Sequence, residues 1–155
     1  MVVKSRAPIR FFFKEVSASL RNRKKLKDFL SFLFKREKKK LNTLNYIFCS
    51  DKFLLEINRA YLKHDYYTDV VSFNLSNSPT EVIGEIYISL QRVKNNADQF
   101  GQTFNKELHR VIFHGALHLC GYRDKTKKEQ LQMRKKEEQY LRQYFNWVPR
   151  DTVSL

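Results

Sequence analysis

Glycine and proline are scarce in this 155-residue chain, with 4 and 3 residues, which excludes collagen-like repeats and Gly/Pro-rich low-complexity structure. Cysteine is scarcer still. Cys49 and Cys120 cannot form a disulfide framework and fit a reducing compartment. No apolar run approaches the roughly 18 residues a membrane span needs. The first residues, with Lys4 and Arg6, lack the apolar core and small-residue cleavage site of a secretory signal. Acidic residues are in deficit too, 16 Asp and Glu against 30 Lys and Arg, giving a net charge of +14. With 42% hydrophobic and 14% aromatic residues, the chain can offset its ordering entropy by burial, so disorder is excluded. A single cytoplasmic domain spanning 1–155 is expected, without internal repeats or linkers.

So basic a chain is the electrostatic footprint of a polyanion partner, most often nucleic acid. Residues 21–40 hold ten basic side chains against Asp28 and Glu37. No helix-turn-helix or zinc-finger spacing is present, so sequence-specific DNA reading is not expected. Leu26, Phe29, Leu30, Leu33 and Phe34 recur at helical spacing, predicting an amphipathic helix with a basic outer face. Lys24, Lys25, Lys38 and Lys39 are its candidate phosphate contacts.

Ile9–Phe13 and Leu44–Cys49 read as strands, and Cys49 as a buried thiol. Ser50 caps a short helix through Phe53, Leu54 and Ile57, ending near Tyr61. Val70–Asn74 and Val82–Leu90 are the next strands, separated by Ser76-Asn77-Ser78-Pro79. A helix from Ser89 through Val93 and Ala97 closes at Gly101, and a more apolar one runs from Asn105 to Leu119. Thr126 and Glu129 form a capping box opening a last helix through Met133, Tyr140, Leu141 and Tyr144, ended by Trp147 and Pro149. The arrangement is α+β: a small mixed sheet covered by helices, with a central buried helix that carries two histidines.

Those are His114 and His118, whose spacing puts both imidazoles on one helix face, one turn apart. Gly121 then lets the chain reverse and bring Asp124 back as a third ligand. Two His and one carboxylate leave a fourth position for water, as in catalytic zinc sites, where the pKa of water falls from about 15.7 to near 7. The spacing matches the metzincin protease pattern, but Gly115 stands where the protease carries its Glu base, so peptidase activity is discounted. A bare helix position beside the metal would also let a substrate backbone approach.

His114-Gly115-x-Leu117-His118-Leu119-x-Gly121-Tyr122 resembles the signature of the YbeY endoribonucleases. Thr68-Asp69-Val70-Val71-Ser72-Phe73, Gly84-Glu85-Ile86-Tyr87-Ile88 and the segment with Asn58, Tyr61 and Asp65 extend the resemblance over about residues 44–142. It implies an α+β fold, one Zn²⁺ per chain at the histidines, and cleavage of single-stranded RNA. It also implies maturation of the 3′ end of small-subunit rRNA, ribosome quality control, and rRNA and the ribosome as partners. The family's third ligand is His where this chain has Asp124, and its Arg after the Tyr is Leu62 here. Arg59 or Lys63 is the candidate replacement for that charge, with a plain surface role as the alternative for Arg59. Glu85 reads first as a strand-edge structural residue and otherwise as a supporting carboxylate or base, Cys120 as core packing, and His64 and His109 as ordinary packing or solvent-exposed residues. The leading expectation is a zinc-dependent endoribonuclease acting through water held by His114, His118 and Asp124. The alternatives are a non-catalytic ribosome assembly factor with a structural zinc and, third, a metalloprotease.

Overall fold

The computed structural model describes residues 8–148. Lys4, Arg6 and the helix-ending role given to Pro149 lie outside them. The elements run β1 (Ile9–Lys14), α1 (Arg23–Arg36), β2 (Lys40–Cys49), α2 (Asp51–Ile57), β3 (Val70–Asn74), β4 (Glu81–Ser89), α3 (Leu90–Phe100), α4 (Phe104–Leu119) and α5 (Lys127–Phe145). A π-helical turn, Asn58–Leu62, prolongs α2. The sheet order is β1-β2-β4-β3. β1 and β4 both pair parallel to β2, and β3 pairs antiparallel to β4, as a small mixed α+β sheet requires. β4 is therefore an interior strand, with Glu85 paired to Asn45 on one side and Phe73 on the other. This corrects the strand-edge reading of Glu85.

Helix α1 lacks a side-chain cap at Asn22 and any acid in its first turn, so local signals contribute little to its stability. Packing supplies it. Leu26, Phe29, Leu30, Leu33 and Phe34 are each 0% exposed, worth about 1.5–3 kcal/mol apiece. The helix stops at Arg36, and Lys38 takes a left-handed turn (φ 61) into β2. Lys38 and Lys39 therefore do not sit on the helix face, a correction to the expected basic stripe. Its exposed cations are Arg23, Lys24, Lys35 and Arg36.

α4 packs on β3 and β4 and is flanked by α1, α3 and α5. Its apolar residues Val111, Ile112, Phe113, Ala116 and Leu117 are all fully buried, as expected of a central helix. Two side chains pin it to the sheet: the Tyr46 hydroxyl donates to the Ile112 carbonyl (2.8 Å) and Ser72 donates to the Gly115 carbonyl (3.2 Å). Thr103 caps its start, and Gly121, at φ 103, reverses the chain after it.

His109, on the same helix, is buried against Tyr144, the rings 4.8 Å apart. Its Nδ1–H donates to the Asn105 carbonyl (2.7 Å), while Nε2 is buried without a partner. Burial, and secondarily Lys25, holds this imidazole below its ordinary pKa of 6.5. A base with a depressed folded-state pKa favours folding above its unfolded pKa and opposes it as pH falls below that value. The melting temperature is therefore expected to drop between pH 7.5 and 5.5, and less so in His109→Phe. Equal drops in the two proteins would exclude this contribution.

Candidate metal centre

Three donor atoms converge beyond the C-terminal half of α4. His114 Nε2 lies 3.0 Å from His118 Nε2 and 3.3 Å from Asp124 Oδ2, and His118 Nε2 lies 3.2 Å from that oxygen. The helical spacing supplies the first pair, and the reversal at Gly121 brings Asp124 back to it. Each imidazole is oriented through its other nitrogen. Glu137 Oε2, acceptor-only as a carboxylate, takes the Nδ1–H of His114 (2.5 Å), and the Tyr122 carbonyl takes that of His118 (2.9 Å). Both Nε2 atoms then present lone pairs, as does Asp124.

Three lone-pair donors facing one another repel unless a cation lies among them. Their separations also match the edges, about 3.3–3.4 Å, of a tetrahedron with metal–ligand bonds of about 2.0–2.1 Å. The residues fit a divalent ion. Cavities flank the triad on both sides. One of about 510 Å³ is walled by β3 and the residues after α2, and includes Leu62, His64, Tyr66, Thr68, Ser72 and Lys125. The other, of about 470 Å³, lies between α4 and α5.

Glu137 is the residue that sequence reasoning missed. It is 3% exposed, and Arg110 donates to it (Nη1, 3.2 Å). Arg110 in turn pairs with buried Glu107 (2.7 Å) and with Asp69 (3.6 Å), forming a chain of charges from the residue before β3 through α4 to α5. Burial alone would raise the Glu137 pKa, but the hydrogen bond from His114 and the charge and hydrogen bond of Arg110 hold it below the usual carboxylate range. One signal was available in the sequence. Glu137 occupies the apolar stripe of α5, in register with Met133, Tyr140, Leu141 and Tyr144.

The loop carrying Asp124 is anchored at Tyr122, whose hydroxyl donates to Glu37 at the end of α1 (2.7 Å). The Tyr140 hydroxyl donates to the same carboxylate and Lys136 pairs with it (3.4 Å). Burial, then Glu37, pushes the Cys120 thiol up to about 12, leaving it an inert packing residue. Cys49 is likewise fully buried and raised to about 12.

Gly115 requires a correction. Its hydrogen faces the sheet and not the metal: a Cβ there would meet Ile86 Cγ2 at 2.8 Å and Ser72 Oγ at 3.2 Å. The glycine lets α4 approach β3 and β4. A Glu at this position would enter the core, which removes the geometric basis for a peptidase. Gly115→Ala gains about 1 kcal/mol of helix propensity but overpacks by about 1–3 kcal/mol. The net loss of up to about 2 kcal/mol corresponds to a fall of up to about 8 °C in melting temperature, and an increase would contradict the close approach.

The other sequence candidates lie apart from the three donors. Arg59 is paired with Asp65, both well exposed. Lys63 is exposed in a left-handed turn (φ 55) between Leu62 and His64, which line the cavity. Lys24 pairs with Asp28 (3.3 Å), Lys25 lies over the Tyr144 ring, and Lys39 donates to the Pro79 carbonyl (2.7 Å). Lys39 also borders a groove formed with Glu37, Gly121, Tyr122 and Arg123.

A sequence model of the family Endoribonuclease YbeY matches residues 12–145. The chain belongs to the YbeY family. Among curated relatives, the Endoribonuclease YbeY of Cytophaga hutchinsonii is 49% identical over 132 residues, covering 84% of this chain and 92% of that protein. That of Porphyromonas gingivalis is 40% identical over 135 residues, covering 87% and 89%. A Thermotoga maritima protein solved in solution shares 30% identity and a TM-score of 0.58, over 88% of this chain and 90% of that one. Among the described residues, no helix is long and apolar enough to cross a membrane.

Proposed function

We propose that this chain is a metal-dependent endoribonuclease acting on single-stranded RNA, with ribosomal RNA, at the 3′ end of the small-subunit molecule, as its substrate. In this reading residues 1–155 work as one cytoplasmic domain, with one Zn²⁺ per chain and the ribosome as partner. The observation that carries it is the convergence of His114, His118 and Asp124 at the separations a tetrahedral ion demands, in a chain of the YbeY family. When bound, such an ion supplies Lewis acidity, acidifying a coordinated water and offsetting charge that develops on a phosphodiester.

The protein's own residues do the rest. Glu137 and the Tyr122 carbonyl fix the two imidazoles in the tautomer that leaves Nε2 free for the ion. Lys125 and Lys63 contribute positive charge at the cavity and its rim, where a strand's phosphates would lie. Lys24, Lys25, Lys38 and Lys39 hold the RNA backbone farther away through charge alone. Arg59 serves as a helper only on release from Asp65. Three protein donors beside open cavities favour catalysis over the closed four-ligand set of a structural zinc.

The test is metal-loaded protein on single-stranded rRNA, duplex RNA and casein, with and without chelator. Chelator-sensitive cleavage of the single strand alone is expected; cleavage of casein alone would overturn the reading. Asp124→His exchanges the carboxylate oxygen at the third corner for an imidazole nitrogen and is expected to bind zinc at least as tightly as the parent. Loss of stoichiometric zinc from that variant would remove position 124 from the ligand set.

A further inference from the structure

We propose that the stacked pair His64 and Tyr66 is a subsite for an unpaired nucleobase of the strand at the triad. It deepens the nuclease reading above and rests on it: the triad addresses phosphate, and this wall addresses the base.

Both rings line the same cavity as His114, His118 and Asp124. They lie nearly parallel, 5.1 Å apart and 20° off plane, with a 3.0 Å contact between the Tyr66 hydroxyl and His64 Nδ1. The segment that presents them is anchored from below. Asn58, 1% exposed, donates from Nδ2 to the Tyr66 carbonyl (2.9 Å), and the His64 amide donates to the Asn58 carbonyl (3.2 Å). The rings are thus held in place without being covered: Tyr66 is 56% exposed.

Large apolar side chains are exposed in this segment out of proportion to its length. Four of the eleven among the described residues, Tyr61, Leu62, Tyr66 and Tyr67, lie between positions 61 and 67. Two already have partners for their ring faces or edges: Tyr61 meets Phe73 edge-on, and Tyr67 lies under the Arg92 guanidinium at 4.7 Å. The His64–Tyr66 pair instead faces the cavity of the phosphate-directed donors. A flat aromatic ledge beside Lys63 and Lys125, on a chain of net charge +14, fits a base with its backbone alongside. Every base has a π face, so such a ledge tolerates any sequence. Bases in a duplex are already stacked, so it selects unpaired strands.

The experiment compares two short strands of equal phosphate count, one of deoxyuridines carrying a 2-aminopurine and one of abasic spacers, binding to the metal-loaded full chain. The parent protein is expected to quench the 2-aminopurine and to bind the base-bearing strand about 5- to 100-fold more tightly than the abasic one. Tyr66→Ala and His64→Ala should lose the quench and most of that margin, with affinity for the abasic strand unchanged, while Tyr66→Phe keeps both. Parental binding and quenching in Tyr66→Ala, as expected if the patch docks a protein, would overturn the proposal. So would an equal loss on both strands. The two readings fail separately. A protein that stacks bases but cleaves no RNA loses the nuclease reading and keeps the subsite. One that cleaves single strands with an unchanged KM in Tyr66→Ala loses the subsite alone.

Discussion

His114→Ala and His118→Ala are each expected to lose stoichiometric divalent-metal binding and to reduce RNA cleavage by about a thousandfold or more, since a catalytic ion supplies several kcal/mol of transition-state stabilisation. Both should still unfold cooperatively. The core around Phe29, Phe113, Tyr140 and Tyr144 does not include the triad, and the Glu137 carboxylate has a second partner in Arg110 (3.2 Å) that His114→Ala does not remove. Metal analysis after dialysis, beside a thermal melt, checks both statements. A variant that retained one metal per chain would remove that histidine from the site. One that lost metal only because it unfolded would show that the ion holds the fold together, as in a structural site.

The second large effect lies one residue behind the three donors. Glu137→Gln leaves an oxygen for the His114 Nδ1–H but removes the charge that polarises the ring and pairs with Arg110. Metal affinity is expected to fall about 10- to 100-fold. Glu137→Ala goes further, leaving the half-buried His114 N–H and Arg110 without this partner and a void beside α5, and should cost about 3 kcal/mol of stability as well. Titration with zinc under a competing chelator, alongside denaturant unfolding, separates the two terms. Parental zinc affinity in both variants would reduce Glu137 to a packing residue.

Much of the fold was legible because its signals are local. β3 begins and ends where the β-branched and aromatic run predicts, and Ser50, Ser89 and the Thr126–Glu129 box cap the helices assigned to them. The His114–His118 pair was legible for the same reason, since helical spacing alone puts two side chains on one face. What failed depended on contacts distant in sequence. Gly115 reads as free space beside a metal until β4 is seen to put Ile86 against it. Glu85 reads as an edge residue until β4 is found between β2 and β3. Lys38 and Lys39 continue a basic run in sequence, but the chain turns left-handed at Lys38 to begin β2. Glu137 lies 23 residues beyond His114 and is set apart from Glu138 only by its buried register.

The central claim is that His114, His118 and Asp124 hold one divalent ion on which RNA cleavage depends. Adding zinc stepwise to metal-stripped protein, while following cleavage of a single-stranded rRNA fragment, tests it most directly. Cleavage is expected to be absent without metal, to rise linearly, and to level off at one ion per chain, with no rise in His118→Ala. Full cleavage by the metal-free protein, or an unchanged rise in His118→Ala, would contradict it.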